Sequence, residues 1–162
     1  MLNWPQFAFV PGIRAALKQL ASLGLPMIVI SNQAAVGKGL LDPAGLEEIT
    51  TQMYEKLLAD GAPLTAAYYC LHRADENCGC RKPKPGLLLS AAKDFNIDLS
   101  RSIFIGDSET DVQAARAAGC RPVLFGTGLE ATAGSGSSKR VPTAATVKDL
   151  FNVAAGCLQG TV

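Results

Sequence analysis

Strands alternating with helices along the whole chain predict an α/β fold with a mainly parallel sheet. Three observations carry this. Short continuous apolar runs, such as Pro26-Met27-Ile28-Val29-Ile30 and Ile103-Phe104-Ile105, suit strands covered on both faces, as parallel sheets require. Segments with helical spacing of apolar residues separate those runs. Both runs end in polar clusters, Ser31-Asn32-Gln33 and Asp107-Ser108. Ligands of open α/β sheets bind beyond the carboxyl ends of the strands, where these clusters lie.

The elements follow in order. Residues 11–23 read as a helix with Ile13, Leu17 and Leu20 on one face and Gly24 as its stop. Residues 26–30 are the first strand candidate, and 34–41, with Gly37 and Gly39 around Lys38, read as a loop. Asp42 is placed as N-cap and Pro43 as first residue of a helix running to about residue 60. Residues 66–69 form a second strand. A helix over 86–95, a strand over 102–106, a helix over 110–118 stopped by Gly119, and a strand over 122–125 come next. The Ala-, Gly- and Ser-rich stretch at about 129–140 reads as a mobile loop, and a last helix covers 147–157. No internal repeat is visible, and residues 1–162 are expected to form one domain.

Bulk properties narrow the partners. The chain is 48% apolar with a net charge of +1, acids and bases being interleaved. No basic patch argues for nucleic acid. No run of about 18 uncharged apolar residues argues for a membrane span. The start, Met1-Leu2-Asn3-Trp4-Pro5-Gln6, lacks the basic and apolar regions of a signal peptide, so a cytoplasmic location is expected. An anionic ligand must then be held by local groups. The odd count of five cysteines argues against a disulfide framework.

Three of those cysteines fall within the segment Cys70-Leu71-His72-Arg73-Ala74-Asp75-Glu76-Asn77-Cys78-Gly79-Cys80. Its C-x-H and C-x-C pairs offer three thiolates and an imidazole, a donor set that suits tetrahedral Zn²⁺ with no open position. The alternative is three free cysteines and a surface histidine. His72 is the sole histidine of the chain, which favours the metal. Cys120 and Cys157 read as small buried hydrophobes.

Three further pieces look like parts of a phosphoryl-transfer site. Ser31 and Asn32 offer a hydroxyl and an amide as phosphate donors, although Ser-Asn at a strand end is common. Arg81-Lys82-Pro83-Lys84-Pro85-Gly86 is a stiff cationic approach to a helix N-terminus, which suits an anion or is simply a solvated basic turn. In Gly106-Asp107-Ser108-Glu109-Thr110-Asp111, Asp107 is the candidate Mg²⁺ ligand. Asp111 either reaches inward as a second ligand or only favours the helix dipole. Glu109 reads as solvated.

The order of these pieces resembles the second, third and fourth motifs of the haloacid dehalogenase (HAD) superfamily. Ser31-Asn32-Gln33, Cys70-x-His72, Cys78-x-Cys80-Arg81-Lys82-Pro83-x-Pro85-Gly86 and Gly106-Asp107 together resemble the D-glycero-D-manno-heptose 1,7-bisphosphate phosphatases of subfamily IIIA. The resemblance covers about residues 7–128. It implies a three-layer, HAD-like (Rossmann-like) sheet with helices on both faces and a small zinc loop at 70–80. It also implies a Mg²⁺-dependent phosphatase acting on a small phosphorylated sugar, a heptose bisphosphate; a monomer is expected. By the same resemblance Ser31 and Asn32 bind the transferring phosphoryl group. Lys82 neutralises it and orients the nucleophile, Arg81 helps hold the substrate, and Asp107 binds Mg²⁺. Cys70, His72, Cys78 and Cys80 hold structural zinc. The neighbouring reaction is histidinol-phosphate hydrolysis; a non-catalytic, zinc-stabilised phosphosugar-binding module is the reading from another class.

One departure separates the chain from that pattern. The family's first motif, Asp-x-Asp-Gly-Thr, supplies the nucleophile and the acid/base from a central first strand. It lies upstream of the segment that residues 7–12 resemble. Here no Asp precedes Asp42 and no Glu precedes Glu47. The expectation is therefore a shortened reading frame, a fragment or a nucleophile-free relative, with no turnover by these residues alone. Residues 7–10, bounded by Pro5 and Pro11, are expected to make a poor replacement for the strand.

Overall fold

The computed structural model describes residues 3–126 and 141–160. The loop expected at 129–140 lies outside the described residues. The chain divides into two compact units, Met1–Arg81 and Lys82–Val162.

In the first unit, α1 (Ile13–Ala21) leads to β1 (Ile28–Asn32), a one-turn α2 (Ala34–Gly37), α3 (Pro43–Ala59) and β2 (Ala66–Cys70). The start of α3 is the one its sequence calls for. Asp42 has extended backbone and its carboxylate accepts the Gly45 N–H at 2.6 Å, while Pro43 needs no donor. Leu46, Ile49, Met53 and Leu57 fall on one stripe and are buried. Onto Met53, Leu57 and Ala62 pack three aromatics from the N-terminal segment, Trp4, Phe7 and Phe9. Trp4 stacks on Phe7 at 4.9 Å, and Phe7 meets Phe9 edge-on at 4.8 Å. Residues 7–10 form no strand. Their aromatics cover α3 instead, in line with the expectation from the flanking prolines.

β1 and β2 are parallel, with Ile28 opposite Ala66 and Asn32 opposite Cys70. Both strands therefore end together. The expected 34–41 loop contains one helical turn, because Val36, Lys38 and Gly39 donate back to Gln33, Ala34 and Val36.

In the second unit, α4 (Gly86–Phe95) has the boundaries its sequence predicts and stops where Asn96 turns left-handed at φ 51°. β3 (Ile103–Gly106), α5 (Glu109–Ala118), β4 (Arg121–Phe125), β5 (Thr143–Ala144) and α6 (Val147–Gln159) follow. The order β3-β4-β5 is parallel throughout, Gly106 pairing with Leu124 and Leu124 with Thr143. The two-residue β5 lies outside the strands that the sequence predicts, because so short a strand has no period of its own to read. Gly119 ends α5 at φ 83°, as its sequence predicts. Val112, Leu124 and Val141 form a core cluster, and Cys120 and Cys157 are buried free thiols. Parallel strands joined through helices agree with the predicted α/β class, here as two ladders among the described residues. No described helix is long and apolar enough to cross a membrane.

Candidate metal loop and phosphate-binding groups

The β1–β2 register brings two sequence features to one end of the first unit. Ser31 and Asn32 are the last residues of β1, and Cys70 is the last of β2, opposite Asn32. The Gln33 N–H continues the ladder by donating to the Cys70 carbonyl at 2.8 Å. Ser31, Asn32 and Gln33 are half-buried. The Gln33 side-chain amide donates to Ser31 Oγ at 3.1 Å. The sequence places Gln33 at this strand end without a signal for its role.

Past β2 the chain loops back on itself so that all four predicted donors converge. Cys70 Sγ lies 3.6 Å from Cys78 Sγ and 3.3 Å from Cys80 Sγ, which are themselves 3.4 Å apart. His72 Nδ1 is 3.7 Å from Cys70 Sγ and 3.3 Å from Cys80 Sγ. All four atoms lie within 4.8 Å of one another. A zinc–sulfur bond of about 2.3 Å implies tetrahedral edges near 3.8 Å, so the spacing fits zinc with little adjustment.

Protonation points the same way. Burial pushes the Cys78 thiol up, but hydrogen bonds from Cys80, the Arg81 backbone and Cys70 outweigh it and bring Cys78 down to about 7. Burial, then the neighbouring Cys70 and Cys78, pushes Cys80 up to about 12. A bound divalent cation would favour the thiolate form of both. Residues 71–77 between the ligands are exposed, so the loop has no core of its own to hold it. Two protein contacts brace it. Arg81 Nη1 reaches the His72 carbonyl at 3.4 Å, and Gly37 of α2 lies so close that a Cβ there would sit 2.4 Å from the Leu71 carbonyl oxygen.

In the second unit the pieces are Lys82, Asp107 and Asp111. Asp107, the first residue after β3, is exposed. Asp111 is buried, at 4% exposure. Its Oδ2 accepts from the Asp107 N–H at 3.1 Å, the Ser108 N–H at 3.2 Å and Ser108 Oγ at 2.7 Å, which caps α5. Its Oδ1 has no well-aligned hydrogen-bond donor but faces Lys82 Nζ at 2.6 Å. Asp111 therefore both reaches inward and serves the helix start, and both its oxygens are engaged by the protein. Lys82 Nζ also lies 5.5 Å from the Phe104 ring centre. Burial raises the Asp111 carboxyl, yet the hydrogen bonds and charge of Lys82 and Ser108 hold it below its ordinary value.

Gly106 makes this arrangement possible. A Cβ at that position would come within 2.3 Å of Asp111 Cβ. The pairing of Lys82 with Asp111 is invisible to local pattern. The two residues are 29 positions apart, and the Gly106-Asp107-x-x-x-Asp111 spacing says only that Asp111 is near the helix start.

Residues 79–152 match the HAD-hydrolase-like family model. A D-glycero-beta-D-manno-heptose-1,7-bisphosphate 7-phosphatase of Pseudomonas aeruginosa is 38% identical over 119 residues, covering 74% of this chain and 67% of that protein. One from Helicobacter pylori J99 is 42% identical over 109 residues, covering 67% of this chain and 63% of its own. The chain thus spans about two thirds of the length of these relatives. The crystal structure of the B. bronchiseptica D,D-heptose 1,7-bisphosphate phosphatase, complexed with magnesium and phosphate, superposes with a TM-score of 0.83 at 32% identity. The match covers 98% of this chain and 88% of that one.

Proposed function

We propose a function from one premise: the chain belongs to the HAD-like hydrolases, in the family of D-glycero-beta-D-manno-heptose-1,7-bisphosphate 7-phosphatases. On this reading the protein is the phosphate- and metal-binding body of a phosphatase that releases phosphate from a heptose bisphosphate. The observation that carries it is the register of β1 and β2. Asn32 opposite Cys70 puts the Ser-Asn strand end and the Cys₃His loop at the same end of one ladder. Within the resemblance, the Cys-x-His and Cys-x-Cys loop joined to Arg81-Lys82-Pro83 is the part specific to this family.

The roles follow from chemistry. Phosphoryl transfer asks for positioning and charge neutralisation more than for covalent work by the protein. Ser31 Oγ–H and the Asn32 amide donate to the phosphoryl oxygens. In the second unit Lys82, held by Asp111, is the cation suited to neutralising phosphate charge, and in the first Arg81 offers a fork for the substrate. Asp107 holds Mg²⁺, which adds Lewis-acid charge at the phosphoryl group. We assign Asp111 to Lys82 rather than to the metal, because both its oxygens are already engaged. Cys70, His72, Cys78 and Cys80 hold zinc as a closed site that supplies folding energy to the loop. No acidic residue precedes Asp42, so these residues bind and neutralise and none is assigned the nucleophilic attack.

The test is phosphate release from D-glycero-β-D-manno-heptose 1,7-bisphosphate, with histidinol phosphate alongside. It uses the 162-residue chain and the same chain lengthened upstream by an Asp-x-Asp-Gly-Thr strand. Expected is Mg²⁺-dependent release from the heptose substrate by the longer chain and none by the shorter. Faster hydrolysis of histidinol phosphate would change the substrate. Binding without hydrolysis by the longer chain would leave a phosphosugar-binding module in place of an enzyme.

A further inference from the structure

The Gln33–Ser31 hydrogen bond has a directional consequence. A serine hydroxyl has one proton to give and two lone pairs to receive with. Facing a phosphate it is useful only as a donor. A rotor whose proton points at a protein acceptor presents lone pairs to the anion and repels it. At Ser31 the side-chain amide of Gln33 donates to Oγ at 3.1 Å. One lone pair is thereby occupied by a group that cannot accept the Ser31 proton through the same atom. Gln33 is itself anchored, because its own N–H is bonded to the Cys70 carbonyl at 2.8 Å, one step beyond the Asn32–Cys70 pair. Ser31 and Gln33 are both half-buried, which limits the water that could otherwise serve the hydroxyl.

We propose that Gln33 is a positioning residue that turns the Ser31 hydroxyl proton toward the bound phosphoryl group. The inference rests on Ser31 being a phosphate donor, as in the function proposed above. Gln33 acts through Ser31 Oγ and need not touch the ligand. Leucine or methionine at this position keeps the backbone bond to Cys70 and most of the side-chain volume. Either removes the donor, so the hydroxyl is free to rotate and its proton is directed at the anion only part of the time.

The experiment is a double-mutant cycle read by titration of the full chain with inorganic phosphate in the presence of Mg²⁺. Ser31→Ala should weaken phosphate binding about tenfold, the loss of one hydrogen bond to a charged group. Gln33→Leu should weaken it about three- to fivefold in the otherwise unchanged chain, and Gln33→Met should do the same. In the Ser31→Ala background Gln33→Leu should have no further effect, to within about the resolution of such cycles. A role of Gln33 in the fold alone would lower affinity equally in both backgrounds, and that result would overturn the proposal. So would unchanged affinity in Gln33→Leu and Gln33→Met while Ser31→Ala weakens binding. Unchanged affinity in Ser31→Ala would instead show that Ser31 is not a phosphate donor, removing the premise and the proposal together.

Discussion

Lys82 Nζ lies 2.6 Å from Asp111 Oδ1, and the two side chains are only 14% and 6% exposed. Neither charge is well hydrated, so each depends on the other. Removing one partner of such a pair leaves an uncompensated charge and costs about 3–5 kcal/mol. Asp111→Ala should therefore lower the unfolding free energy by about 3 kcal/mol or more, with loss of the α5 cap included. Asp111→Asn should cost less, since an amide oxygen still accepts from Ser108. The double variant Lys82→Met/Asp111→Asn should be less destabilised than the sum of its singles, as denaturant titration of all four proteins would measure. Additive losses would mean the pair is not coupled.

Acid should act through the same carboxylate. Asp111 is held below its ordinary value because Lys82 and Ser108 outweigh burial. The unfolded chain then binds the proton more readily than the folded one. The stabilisation is fully present above the ordinary carboxyl range and is lost as pH falls through the folded value. Unfolding midpoints of the unchanged chain and Asp111→Asn should accordingly converge as pH drops below about 4. A gap that stays constant through acid would contradict this account.

Gly106 has no room for a side chain, since a Cβ would sit 2.3 Å from Asp111 Cβ. Gly106→Ala must displace α5 or the Asp111 side chain, and with it the partner of Lys82. A loss of about 2–3 kcal/mol is expected, in the range of overpacking a filled site. A melting temperature within experimental error of the original would show that the approach is looser than described.

Elemental analysis should find one zinc per chain, and a strong chelator should lower the melting temperature. Cys80→Ser should lose the metal, because a hydroxyl replaces the sulfur that stands 3.3–3.4 Å from both other sulfurs. A chelated protein that melts unchanged would mean that the loop holds its shape by protein contacts such as Gly37 against Leu71.

A control lies far from these groups in kind. Asp42 caps α3 through the Gly45 N–H. Asp42→Ala should cost about 1 kcal/mol of stability and leave phosphate affinity unchanged.

Much of this protein was determined by local sequence. The Asp42-Pro43 start of α3, the Gly119 stop of α5 and the limits of α4 each depend on one or two residues whose backbone preferences act within a single turn. The Cys₃His cluster is local too, since its members lie within eleven residues of one another. Only tertiary structure decided the rest. The parallel register set Asn32 against Cys70, and with it Gln33 between the Cys70 carbonyl and the Ser31 hydroxyl. Burial turned Asp111 from an ambiguous helix-start carboxylate into the counter-ion of Lys82. The trio Trp4, Phe7 and Phe9 was placed by the apolar face of α3, not by its own pattern. The physical reason is range. Caps, stops and chelating loops close over a few residues, whereas register and charge pairing depend on which distant surfaces exclude water together.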